Sequence, residues 1–174
     1  MNDIAREAGI TKPILYKHFG DKGGLYQALA ERYVRSLMEQ LRGALAAETD
    51  PQTRLRRTID SYLSFVATER EIYSFLMHRA VTERPEAQAT VADFIRQLAA
   101  ELATILGQEL RRMGLDSGGA EPWAHGIVGM VQLAGDRWLE HPSMSREDLA
   151  GYLEALLWNG LSRAPTEQAD VNNG

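Results

Sequence analysis

Cysteine is absent from the 174-residue chain, which excludes disulfides and thiolate metal sites and suits a reducing cytoplasm. Proline is sparse, with 6 residues, and aromatic residues make up only 7%. No apolar run approaches the roughly 18 residues that a bilayer span requires, and no secretory apolar stretch follows Met1. A membrane anchor is therefore not expected, and the reading is a cytosolic protein. Strand signals are missing too. No apolar–polar alternation is sustained, and the Asn-Gly pairs at 159–160 and 173–174 lack strand-like flanks. Signatures of catalysis are equally wanting: no G-x-S-x-G, H-E-x-x-H, G-x-G-x-x-G or Gly-rich phosphate loop occurs. The four histidines, at 18, 78, 125 and 141, lack ligand-like spacing. The expectation is a protein that is not an enzyme and has no cofactor or metal.

What is present is helical periodicity. Leu25, Leu29, Tyr33, Leu37, Leu41 and Leu45 recur every four residues, which predicts a helix from about 22 to 47. Asp50-Pro51 supplies an N-cap and a proline at the first helical position. The helix they begin runs to about 68, with Leu55, Ile59, Tyr62 and Val66 on one face. A shorter apolar stretch, Ile72 to Val81, stops before Arg84-Pro85. Another long helix is expected over about 86–113, then a loop at 114–119 (GLDSGG), then helices over about 121–140 and 146–162. Ser145 and Asp148 form an S-x-x-D capping box for the last one. The polar tail APTEQADVNNG reads as disordered. The fold class is all-α, divided into a partial helix-turn-helix head at 1–24, a helical body at 25–163 and a tail at 164–174.

The head carries the chemistry. The net charge of the chain is −5, yet Arg6, Lys12, Lys17 and Lys22 outnumber Asp3, Glu7 and Asp21 within residues 1–22. A weakly basic tip on an acidic body can place a few cations on phosphates while the body stays off the duplex. In AGITKPILYKHFGDKGGL, residues 8–25, Gly9 is placed to end a short helix with positive φ. Thr11 is placed to cap a second helix, which opens with Lys12 and Pro13. At about 100° per residue, Leu15 and Phe19 point into a small core, whereas Pro13, Ile14 and Lys17 cluster on the opposite side. Tyr16 and His18 flank that side. A helix entering a major groove needs this mixture of short or apolar groups for base edges and Lys, Tyr and His donors for phosphates. Asp21 is placed to cap the following helix, with Lys22 in its first turn. A solvated helical hairpin would share the bare pattern.

The string IAREAGITKPILYKHFGDKGGLYQAL, with IA, AG, LY, HF and K..L at matching spacings, resembles the tetracycline-repressor (TetR/AcrR) family of bacterial transcription regulators. The resemblance is close over residues 2 to about 30 and architectural beyond. It implies a homodimer that reads a pseudo-palindromic double-stranded operator and releases it when a small molecule binds the larger domain. It places Lys12, Pro13, Ile14, Tyr16, Lys17 and His18 in or beside the major groove, and Lys22 on the phosphate backbone. Ile14 departs from the small or hydroxylated residue common there, which suggests a methyl contact. The family's first DNA-binding helix precedes IA, so the expectation is that a helix upstream of this chain completes the head, and that the chain as given binds DNA weakly. Helix 22–47 would couple body to head.

In the body, helix 121–140 is apolar on two sides. Trp123, Ile127, Met130, Val131, Ala134 and Trp138 form one stripe, and Gly126, Gly129 and Leu133 form another, where small residues admit a close neighbour. On the last helix Leu149, Tyr152, Leu153 and Leu156 face one way as its inward side, while Leu157, Trp158 and Leu161 extend the apolar surface. A helix apolar on two sides needs a second packing partner. The predicted dimer interface is accordingly Gly126, Gly129, Leu133, Leu153, Leu157, Trp158 and Leu161, half of a four-helix bundle completed by a two-fold mate. Two well-buried helices in a monomer would read similarly. Tyr62, Phe65, Tyr73, Phe94, Trp123 and Met130 are the candidates for an apolar effector pocket, a role that rests mainly on the resemblance. A helical module that binds only protein is the alternative function.

Overall fold

The computed structural model describes residues 2–47, 50–80 and 85–161. Among these residues the regular elements are all helical: α1 (Asn2–Glu7), α2 (Lys12–Phe19), α3 (Lys22–Ala46), α4 (Pro51–Thr68), α5 (Arg70–Ser74), α6 (Pro85–Arg112), α7 (Ala120–Glu140) and α8 (Arg146–Leu161). A π-helical turn, Phe75–Ala80, follows α5 directly. The predicted apolar stretch from Ile72 is thus α5 and this wider turn, and its end at Val81 lies outside the described residues. The 164–174 tail also lies outside them. No helix among the described residues is long and apolar enough to cross a membrane.

Local chemistry explains most boundaries. Asp50 accepts a hydrogen bond from the Thr53 N–H at 2.8 Å and so caps α4. At α8 the Asp148 N–H donates to Ser145 Oγ at 3.0 Å, and that hydroxyl donates to Asp148 Oδ2 at 2.7 Å. An aspartate is one methylene shorter than the usual glutamate of a capping box, and it closes the motif on the hydroxyl. α6 ends on Gly114, at φ 69°, with the Leu115 N–H donating to Leu110 O at 2.9 Å and the Gly114 N–H to Arg111 O at 3.1 Å. These paired bonds satisfy carbonyls that the last turn leaves open.

The bonds from the Thr53 hydroxyl and N–H hold the Asp50 carboxyl below its ordinary value. A depressed folded pKa means that the cap stabilises above the unfolded carboxylate range and is lost as pH falls through the folded value. Acid titration of helicity should therefore contain a component that Asp50→Asn removes. Superimposable acid transitions for the two proteins would refute this.

The chain packs as two compact units, one of residues up to 37 with 69–94, the other of residues 38–68 with those from 95 onward. The first buries Ala5, Leu15, Leu25, Tyr26, Ala30, Tyr33, Leu37, Tyr73, Leu76 and Val91. Within it the Tyr26 and Phe75 rings meet edge to face at 4.8 Å, and Tyr33 lies 6.3 Å from Tyr73.

The second unit is centred on α4, which packs on α8 and α7. Ile59, Tyr62, Leu63 and Val66 on α4 are buried, as are Ala124, Ile127, Val128, Val131 and Leu139 on α7 and Ala150 and Leu153 on α8. Burial of each large side chain contributes about 1.5–3 kcal/mol. Gly135 sets the α4–α7 approach: a Cβ there would stand 3.2 Å from Leu63 Cδ2 and 3.3 Å from Tyr62 Cε1. Polar bonds fix the register around this core. Arg146 Nε reaches Asp60 at 2.8 Å, Arg54 reaches Glu109 at 3.1 Å, and Gln52 donates to the buried Glu154 at 2.7 Å. Trp138 Nε1 donates to Met144 O at 2.9 Å, tying the end of α7 to the α7–α8 loop.

Candidate nucleic-acid interface

The head is built by two glycine turns around α2. At the first, Gly9 adopts φ 65°, its N–H donates to Arg6 O at 3.2 Å, and the Ile10 N–H reaches back to Ala5 O at 3.0 Å. Left-handed backbone of this kind suits glycine. α2 follows, with Thr11 in the extended N-cap conformation but without a side-chain capping bond. One of the two usual donors is missing. A cap hydroxyl bonds the N–H of the second or third helical residue, and the second here is Pro13, which has none.

The second turn is tighter. Gly20 sits at φ 70° and ψ −70°, with the Asp21 N–H donating to Phe19 O at 2.8 Å across it. This is a γ-turn of the rare, strained hand. It places Asp21 to accept the Gly24 N–H at 2.8 Å and so cap α3, with Lys22 as the first helical residue. A side chain at position 20 should cost about 1–3 kcal/mol. Gly20→Ala is therefore expected to speed amide exchange across α2 and the start of α3. Unchanged exchange there would contradict this account of the turn.

On α2 only Leu15 is buried, at 2% exposure, and Phe19 is half-buried. Lys12, Pro13, Ile14, Tyr16, Lys17 and His18 are all exposed, as is Lys22 on α3. The structure therefore brings the seven sequence-predicted residues onto solvent-facing positions of one helix and the start of the next. Lys12 Nζ lies 5.8 Å from the centroid of the Tyr16 ring, and Lys22 Nζ lies 5.2 Å from that of Tyr26. The Tyr26 contact is invisible to periodicity, which singles out Leu25, Leu29 and Tyr33 at the start of that helix and passes over Tyr26. Chemically, the arrangement is a short helix committed to the protein core by one side chain, presenting cations, hydroxyl and imidazole donors and one aliphatic group.

The proposed effector residues are distributed differently. Tyr62 and Tyr73 are buried, whereas Phe65, Phe94, Trp123 and Met130 are half-buried. Tyr73 and Phe94 belong to the first unit, and the other four to the second. Trp123 folds its ring against the α7 N-terminus, where a Cβ on Gly119 would fall 2.8 Å from it. A surface groove of about 420 Å³, unforeseen in the sequence, is lined by Thr104, Gly107, Arg111, Ser117, Ala120 and Glu121 among others, and by none of those six.

Of the predicted interface residues, Leu133 is 71% exposed and Gly126 is exposed. No atom lies within 4 Å of a Cβ placed on Gly126 or Gly129. The small residue that admits a neighbour within the chain is instead Gly135. On α8, Leu157 and Trp158 are half-buried and Leu153 is buried in its own unit, whereas Tyr152 and Leu156, expected to face inward, are 68% and 64% exposed. They and not Leu157 form the outward apolar surface of this helix, as Leu133 does on α7. The Leu161 side chain lies outside the described residues.

A helix–turn–helix whose second helix offers its polar face to solvent, attached to an all-helical body, defines the class of DNA-binding transcription regulators. The comparisons specify the family. A profile described as "Bacterial regulatory proteins, tetR family" matches residues 1–29, and one described as "Tetracyclin repressor-like, C-terminal domain" matches residues 40–173. An HTH-type transcriptional regulator of Mycobacterium tuberculosis is 37% identical over 162 residues, covering 92% of this chain and 68% of the relative. The HTH-type transcriptional activator FasR of Mycolicibacterium smegmatis is 31% identical over 169 residues, covering 95% and 74%. The crystal structure of the TetR family regulator PfmR from Thermus thermophilus shares the fold, with a TM-score of 0.72 at 20% identity over 93% of this chain and 88% of that one. The chain belongs to the TetR family of bacterial transcription regulators.

Proposed function

We propose that this regulator is a cytoplasmic repressor that acts as a homodimer, reads a pseudo-palindromic operator through α2, and releases it when a small, largely apolar molecule binds the body. The observation that carries the DNA-reading role is the exposure of Lys12, Pro13, Ile14, Tyr16, Lys17 and His18 together on a helix anchored by Leu15. An aliphatic side chain left in solvent beside two lysines fits a thymine methyl flanked by phosphates. The two heads would meet half-sites one helical turn, about 34–36 Å, or a multiple of it apart. Phe65, Trp123 and Met130 in the second unit and Phe94 in the first are half-buried and offer apolar surface for an effector, whereas Tyr62 and Tyr73 are buried and would reach one only if the core opened. A ligand that binds one state of the dimer better lowers DNA affinity by the same coupling factor. No motif of catalysis accompanies these features.

The test is a salt-dependent titration of the protein on duplex DNA from upstream of its own coding sequence. Weak but specific binding is expected of the chain as given, with Lys17→Ala weakening it further by about 10-fold or more. A promoter fusion reads the sign of regulation, which matters because one relative, FasR, bears the name of an activator. Absence of specific binding would favour the protein-binding module instead.

A further inference from the structure

Both lysines that border the reading helix stand over an aromatic ring four residues on, Lys12 over Tyr16 and Lys22 over Tyr26. Neither ammonium has a carboxylate partner among the described residues. The choice of neighbour matters for a cation that must meet phosphate. A carboxylate would hold the long side chain but cancel the charge on which counterion release depends. The face of an aromatic ring attracts the ammonium while adding no net charge.

Tyr26 differs from Tyr16 in being 8% exposed, so it is not itself available to a duplex. Its ring is locked edge-on against Phe75, with centroids 4.8 Å apart and planes at 77°. Phe75 in turn opens the π-helical turn. Lys22 therefore stands over a ring whose plane the protein core sets. A four-carbon stem loses much rotamer entropy on binding, and a fixed ring face restricts it beforehand.

We infer that Tyr26 is a positioning residue for DNA binding, holding the Lys22 ammonium over its ring so that the charge is pre-placed for a backbone phosphate. This rests on the DNA-reading role proposed above. The sequence-independent phosphate contact can be read on a mixed-sequence duplex at low salt, with the full chain. Lys22→Ala should weaken binding and reduce the salt slope by about one. Tyr26→Leu, which keeps an apolar side chain but removes the ring, should weaken it about two- to five-fold. Tyr26→Phe should restore what leucine loses, because phenylalanine keeps the ring face. Combining Tyr26→Leu with Lys22→Ala should add nothing to Lys22→Ala alone.

A second measurement is made on the free protein and survives any failure of the leucine variant to fold. The Lys22 side-chain methylene resonances should be shifted upfield by the ring current in the native protein and in Tyr26→Phe. Resonances at ordinary positions in the native protein would overturn the inference. So would native affinity in Tyr26→Leu alongside weakened binding in Lys22→Ala, a result that leaves Lys22 as a phosphate contact. If the native chain binds no duplex at any salt concentration, the DNA-reading role itself falls, and this inference with it.

Discussion

Replacing Leu133 and Leu156 together with glutamate should convert a dimer into a monomer in light scattering. It should also lower apparent affinity for a two-half-site duplex by about 100-fold or more, with helicity unchanged. Leu133 and Leu156 are 71% and 64% exposed within the single chain, and Tyr152 is 68% exposed. Glutamate at these positions costs the isolated subunit little. Across a two-fold axis every substitution counts twice. Each leucine contributes about 1.5–3 kcal/mol when fully covered, and each buried unpaired carboxylate costs several kcal/mol more. Two leucines per subunit thus outweigh the free energy of an ordinary micromolar dimer, about 8 kcal/mol. The DNA effect follows from geometry. In the proposed dimer, once one head is bound the other would meet its half-site at high effective concentration, which multiplies affinity by about 10²–10⁴. Gly126 and Gly129, with open space where a Cβ would stand, extend the test: phenylalanine at Gly129 should also block close approach. A native protein that is already monomeric, or a double variant that stays dimeric, would refute this interface.

The other large effect is internal to the second unit. Leu63 is fully buried at 0% exposure, and its Cδ2 lies 3.2 Å from the Cβ position of Gly135. Leu63→Ala should cost about 2–5 kcal/mol through lost burial and the cavity left behind. In a chain of this length that corresponds to a fall in Tm of roughly 4–20 °C. Gly135→Ala is a closer contest. Alanine gains up to about 1 kcal/mol of helix propensity over glycine, and Leu63 and Tyr62 need yield only a few tenths of an ångström. The net should be near zero. Gly135→Val adds two γ carbons to a filled space, and overpacking of that kind costs about 1–3 kcal/mol. The pair should not be additive, because valine at 135 can occupy volume vacated by Leu63→Ala. A double variant more stable than the summed single effects by about 0.5 kcal/mol or more is the expected thermal-melt result. Strict additivity would place the two residues out of contact.

Residues 63 and 135 also show where sequence reading stops. Periodicity is a local code, and it located α3, α4, α6, α7 and α8 to within a residue or two at each end. Caps are local as well, so Asp21, Asp50 and Ser145 were legible, along with the positive φ of Gly9. Which glycine admits a neighbouring helix is a non-local fact. Gly126, Gly129 and Gly135 lie on one helix, and only the position of α4 shows that Gly135 is the one covered. The π-helical turn after Ser74 was hidden because its residues, FLMHRA, suit an α-helix and a wider turn equally well. Thr11 illustrates a subtler limit: its type and place predict a capping bond, but the proline two residues later removes one of its two donors. On α2, by contrast, nearly all the candidate surface was readable, since one buried leucine in eight residues leaves little freedom about which side faces out.

The tryptophans have a spectroscopic consequence. All three, Trp123, Trp138 and Trp158, belong to the second unit, with one ring against Gly119 and another bonded to the Met144 carbonyl. The first unit, with the whole of α1 and α2, has only tyrosine and phenylalanine as chromophores. Indole emission is consequently blind to α2: it follows melting of the second unit while the first could unfold unseen. Comparing emission with far-ultraviolet dichroism along one denaturant series would separate the two units without a label, and Phe19→Trp would give the head a signal of its own.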